Sequence, residues 1–251
     1  MNILIKELEN SKKFSEVINH IKNQKSQISL SGLSDMGKVQ MIAGLQDSLK
    51  QNICVITYNQ IQAKRLLKDL LYFNDKVAIF PKKELVTYDY IAESKDLPYE
   101  RIEVLNKIHE NKINILIVTI ESVMQDLLPK DVLYKNTIKL SVGDIIKIDY
   151  LKQKLIDLGY ERKELIDGRG QFSVRGGIVD ISMSENQGIR LEFWGDEIDS
   201  IRRFDIISQR SIEMINSYQI NPSHEYILEN GLDKVIENIE KYNYENKQNL
   251  K

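Results

Sequence analysis

At 251 residues, 42% hydrophobic and 29% charged, the chain is long enough to bury the core of one large domain or two smaller ones. A formal net charge of −2 excludes DNA binding by overall basicity, so any nucleic-acid contact has to be local. The single cysteine excludes an intramolecular disulfide framework and no apolar run approaches a membrane span, so a cytoplasmic setting without membrane contact is expected.

The first half alternates helical periodicity with short β-branched runs, the pattern of an α/β fold with a parallel sheet. Phe14, Val17, Ile18 and Ile21 fall at i, i+3, i+4 and i+7, one apolar stripe of a first helix. A strand is expected at Gln27 to Ser31, and further strands at Asn52 to Tyr58, Lys76 to Phe80 and Ile113 to Thr119. Cys54, inside the second of these, reads as a core residue. Helices fill the gaps, marked by Met41, Ile42, Leu45 and Leu49, by Ala63, Leu66, Leu67 and Leu70, and by Ile102, Leu105 and Ile108.

Between the first expected strand and its helix, Gly32-Leu33-Ser34-Asp35-Met36-Gly37-Lys38-Val39 fits the phosphate-loop pattern G-x-x-x-x-G-K but ends on Val where Ser or Thr belongs. In a working loop the glycines let backbone N–H groups wrap phosphates, the lysine reaches the terminal phosphates and the hydroxyl holds magnesium. Val39 has no oxygen to give, and Asp35 brings a carboxylate into the turn. The acidic pair expected after a later strand is missing too, since Ile113 to Thr119 runs into Ile120-Glu121-Ser122. Gly32, Gly37, Lys38 and Val39 therefore read as a degenerate phosphate loop kept for its shape. No nucleotide or metal cofactor and no ATP hydrolysis are expected of this chain.

Near Leu128-Pro129 the texture changes to short alternating segments, a helix near Leu151 to Leu158 and glycine-marked turns. Strands are expected at Gln171 to Arg175, Gly177 to Ser182, Ile189 to Trp194 and Glu197 to Phe204, with a hairpin at Gly195-Asp196. Alternation points Ile189, Leu191 and Phe193 to a core, as it does Phe172 and Val174, leaving Arg175, Arg190 and Trp194 on the open face. Arginine and tryptophan dominate protein interfaces; the plainer reading is an amphipathic sheet with Trp194 laid over an arginine stem. Seven Arg/Lys against nine Asp/Glu between Tyr160 and Arg203 make this a poor surface for DNA phosphates. Gly176-Gly177 suggests a bulge or close backbone approach beside Arg175. An extended stretch near Ile212 to Ile220 leads to a final helix carrying Leu232, Val235, Ile236 and Ile239. His20, His109 and His224 show no metal-ligand spacing, and no catalytic group stands out. The expected division is an α/β domain from 1 to 128, a mainly antiparallel domain from 129 to 211 inserted into it, and a return segment from 212 to 251.

The string Gly170-Gln171-Phe172-Ser173-Val174-Arg175-Gly176-Gly177-Ile178-Val179-Asp180-Ile181, then Arg190-Leu191-Glu192-Phe193-Trp194-Gly195-Asp196-Glu197, resembles two related families. They are the excision-repair helicase UvrB and the transcription-repair coupling factor Mfd. Against the UvrB pattern, Val39 breaks the phosphate loop, and Thr87-Tyr88-Asp89-Tyr90 runs on into Pro98 without room for a DNA-wedging hairpin. The coupling-factor resemblance implies a helicase-like first domain without ATPase activity and a small domain that recruits UvrA. It carries the UvrA contacts to Arg175, Arg190 and Trp194, the last departing from the family's usual Phe. It further implies RNA polymerase and DNA as partners of the rest of a longer protein, an ATP- and magnesium-dependent translocase, and masking of this face by a C-terminal domain. The alternative is a fragment of a UvrB-type ATP-dependent DNA-repair helicase.

Overall fold

The computed structural model describes residues 3–23, 27–83, 96–182 and 184–225, with 227, 236, 237, 240 and 241. Contacts divide the chain into two units, one of residues 1–94 and 103–126, the other of 95–102 and 127–251. Among the described residues no helix is long and apolar enough to cross a membrane.

The first unit opens with helices α1 (Ile3–Glu9), α2 (Lys12–Lys22) and α3 (Asp35–Leu49), followed by β1 (Ile53–Thr57), α4 (Gln60–Leu70) and β2 (Val77–Phe80). Helix α5 (Leu97–His109), whose residues 97–102 count with the second unit, precedes β3 (Ile115–Thr119) and the short α6 (Ile120–Val123). The three strands are parallel in the order β1-β3-β2, so β3, the most apolar, is central and the most buried. Val39 and Ala43 of α3 and Ala63 and Leu70 of α4 pack on Ile115 and Ile117 of β3. The starts of α3 and α4 are fixed by side chains: Ser34 accepts from Gly37 N–H at 3.1 Å, and Asn59 from Gln62 N–H at 2.9 Å. Gly44 lets the first two helices close on α3, because a Cβ there would lie 2.8 Å from Leu8.

Two expectations fail in this unit. Gln27 to Ser31 joins no sheet. Only Ile28 and Leu30 are apolar there, and Leu30 is exposed, so little burial is available to drive pairing. Cys54 is exposed rather than buried, because β1 is an edge strand and presents Cys54 and Ile56 outward. Partial burial still raises its thiol pKa.

The second unit holds α7 (Lys130–Lys135), β4 (Ile138–Ser141), α8 (Ile148–Asp157), β5 (Glu161–Arg162), β6 (Gln171–Arg175) and β7 (Ile178–Ser182). It continues with β8 (Gln187–Trp194), β9 (Glu197–Asp205), β10 (Ser211–Ile215) and β11 (Ser217–Ile220). Six strands form one sheet in the order β10-β9-β8-β7-β6-β5, antiparallel except for β5 against β6, and β11 pairs with β4 in a second small sheet. Leu151, Leu155 and Leu158, from α8 and its C-cap, cover one face of the large sheet, meeting Phe172, Val179, Ile181, Ile189, Leu191, Ile198 and Ile201. Each such buried aliphatic contributes roughly 1.5–3 kcal/mol, and this core fixes which residues face out.

Residues 212–215 and 217–220, placed by sequence at the start of a return segment, belong to strands β10 and β11, which pair with β9 and β4 of this second unit. Ile215, Tyr218 and Ile220 pack into or against its core, while Ile212 and Met214 stay exposed. Of the final helix, Leu232, Val235 and Ile239 lie outside the described residues, as do Thr87 to Tyr90.

Candidate partner-binding face

The phosphate-loop remnant lies in the first unit. Gly32 has a φ of 78°, and the turn ends at Ser34, so α3 has already begun when Gly37 and Lys38 are reached. Their N–H groups, which would face phosphates in a working loop, bond to Ser34 Oγ and to the Ser34 carbonyl oxygen at 2.9 Å. Lys38 Nζ meets the Asp35 carboxylate at 3.0 Å, and Val39 is buried in the core. After β3, Thr119 and Ser122 cap α6 reciprocally, while Glu121 pairs with Lys82 at 2.7 Å. Val39→Thr, which restores the motif on paper, is expected to cost about 1 kcal/mol or more by placing a hydroxyl in the core. It should confer no nucleotide binding; urea denaturation and calorimetry with ATP and magnesium check both.

The open face of the large sheet is built by register. Ser173 on β6, Asp180 on β7, Arg190 on β8 and Arg202 on β9 stand in one row, and Arg175, Ile178, Glu192 and Ser200 in the next. Two glycine turns aim this face. Gly176-Gly177 closes β6 onto β7 and Gly195-Asp196 closes β8 onto β9, with φ of 60° at Gly176 and 63° at Gly195. The first pair is thus a hairpin turn rather than a bulge. The expected close approach is present, since a Cβ on Gly177 would lie 3.0 Å from the Phe193 carbonyl oxygen.

Of the three residues singled out by sequence, Trp194 is 83% exposed, at the hairpin end of β8. It does not lie over an arginine. The cation–π contact of this face is Arg190 over Phe204, 4.6 Å from the ring centre. Gly188, opposite Phe204, leaves room for that ring, because a Cβ there would fall 2.7 Å from it. Arg190 is therefore not openly displayed; its side chain is 17% exposed and that of Arg175 44%.

Both arginines converge on Asp180, whose carboxylate is fully buried. Arg175 Nη2 donates to Asp180 Oδ2 at 2.5 Å. Arg190 donates from Nε to Oδ1 at 2.7 Å and from Nη2 to Oδ2 at 2.9 Å, and Nη2 also reaches Gln209 at 3.1 Å. The hydrogen bond to Asp180 raises the Arg190 guanidinium above its ordinary range. Beside them Glu192 accepts from Ser200 at 2.8 Å and from Arg202, which hold its carboxyl below the usual range.

Sequence reasoning missed Asp180, Glu192, Arg202 and Ile145. Alternation in Val179-Asp180-Ile181 places the carboxylate outward, but only strand register puts it beside both arginines. Ile145 bridges to Glu197, which pairs with Trp194, so an exposed isoleucine and an exposed tryptophan share one row two strands apart.

A family profile described as the UvrB interaction domain matches residues 138–226, which contain the whole six-stranded sheet. A transcription-repair-coupling factor of Staphylococcus aureus strain Mu50 is 34% identical over 219 residues, 86% of this chain. The chain is thus similar, over most of its own length, to transcription-repair-coupling factors, and contains a UvrB interaction domain. A factor of the same name from Bacillus subtilis strain 168 is 30% identical over 224 residues, 88% of this chain. The matches span 19% of the length of both relatives, so this chain corresponds to one region of a much larger coupling factor.

Proposed function

We propose that this chain is the UvrA-recruiting module of a transcription-repair-coupling factor, and that UvrA docks on the outer face of the six-stranded sheet. The observation that carries the reading is an 83% exposed Trp194 on the same sheet face as the partly exposed guanidinium of Arg175, inside a segment matching the UvrB interaction domain. An exposed aromatic sharing a face with an arginine is the residue mix that concentrates binding energy in protein interfaces. Nine carboxylates against seven basic residues between Tyr160 and Arg203 favour a protein partner over DNA.

The α/β unit serves in this reading as a nucleotide-free remnant. Its turn N–H groups and Val39 are absorbed by α3 and the core, which supports the absence of ATP hydrolysis by this chain. ATP-driven translocation, RNA polymerase binding, DNA contact and masking by a C-terminal domain belong, in this proposal, to the rest of the longer protein. The family match favours this reading over a fragment of a UvrB-type helicase. Size-exclusion chromatography with purified UvrA is the test: the wild-type chain should co-elute, and a triple Arg175→Ala, Arg190→Ala, Trp194→Ala variant with unchanged circular dichroism should not. Equal co-elution of both would sink the proposal.

A further inference from the structure

We infer that Asp180 is the positioning residue of this face, a carboxylate that no partner touches but that sets both arginines for one. The inference rests on the reading that UvrA docks here. Asp180 is fully buried, so its role in binding has to be exerted through its neighbours. Both its oxygens are occupied, by Arg175 from β6 at 2.5 Å and by Arg190 from β8 at 2.7 and 2.9 Å. Two guanidinium groups from strands on either side of β7 are thereby drawn to one point. Without the carboxylate they would repel each other and turn freely on long flexible stems.

The arrangement leaves a defined set of donors. Arg190 is restrained on three sides, by Asp180, by Gln209 and by the Phe204 ring, whereas Arg175 keeps Nε and Nη1 beyond its contact with Asp180. Held in place, Arg175 presents its remaining N–H donors to a carboxylate on the partner, and its ordering is complete before the partner arrives. An arginine fixed in advance binds more tightly than the same arginine ordered on binding. Asp180 thus acts on affinity without lying in the interface.

The test is a double-mutant cycle in the full chain, titrating purified UvrA into wild type, Asp180→Asn, Arg175→Ala and the double variant, each checked for fold by circular dichroism. Arg175→Ala and Asp180→Asn should each weaken binding about tenfold. The double variant should fall short of the product of the two losses by about threefold or more, because the residues act as one. If Arg175→Ala weakens binding while folded Asp180→Asn binds as wild type, or if the losses multiply, the inference fails alone. If neither variant weakens binding, the docking reading fails and takes the inference with it. Should Asp180→Asn not fold, side-chain NMR of the wild-type chain decides. The Nε–H of Arg175 should be as rigid as the surrounding sheet, and mobility equal to that of exposed Arg65 would overturn the inference.

Discussion

Glu225→Ala is expected to destabilise the second unit by about 3–5 kcal/mol, the largest single-residue effect anticipated for this chain. Arg101, in the first part of α5, is 2% exposed, and Glu225 5%; Arg101 Nε and Nη2 both reach Glu225 Oε1, at 3.1 and 3.0 Å. Removing the carboxylate takes an opposite charge away from a guanidinium in a site that excludes water, so the desolvation cost loses part of its compensation. Neighbouring contacts keep the segment from swinging away, since Ser223 bonds to the Leu158 carbonyl oxygen from both its N–H and its hydroxyl, at 2.9 and 3.0 Å. Natural domains are stable by only about 5–15 kcal/mol, so urea denaturation should show a large fall in midpoint for Glu225→Ala. Replacing both partners, as Arg101→Met with Glu225→Leu, should cost far less, because no charge then remains to be desolvated. Equal losses for the single and double replacements would show that packing, not the ion pair, fixes this segment.

Trp194→Ala is expected to have the largest effect on partner binding, about 2 kcal/mol or roughly thirtyfold in affinity. The ring is mostly in solvent, so truncating it removes little of the unit's own packing and stability should change by less than about 0.5 kcal/mol. That separation of affinity from stability is the signature of a docking residue. It sets Trp194 apart from Arg190, whose replacement also removes two of the three hydrogen bonds that Asp180 accepts from the arginines. Gly195 contributes indirectly: its positive φ closes the two-residue turn that leaves Trp194 at the exposed end of β8.

Much of the second unit was legible because alternation is a strong signal when one face of a sheet is buried. Phe172, Ile189 and Leu191 read as inward from sequence and lie in the core, with Val174 and Phe193 packed against it. The first unit was less so. Gln27 to Ser31 has the composition of a strand but no partner, and pairing is a tertiary property that a short window does not contain. Cys54 was misplaced for a related reason, since an apolar run does not say whether its strand is central or at an edge. In the site itself, the outward direction of Arg175, Arg190 and Trp194 followed from alternation. The burial of Arg190 did not, because it depends on Asp180 on the neighbouring strand, on Gln209 and on the ring of Phe204. Register joins these residues, and register was not fixed by the residues alone.

Calorimetric titration of purified UvrA into the wild-type chain, Trp194→Ala and Tyr58→Ala side by side tests the central claim most directly, with Tyr58 as an exposed aromatic of the first unit. The account predicts saturable binding by wild type, the same affinity for Tyr58→Ala and a loss of roughly thirtyfold for Trp194→Ala. No binding by wild type, or a Trp194→Ala titration that overlays it, would contradict the account.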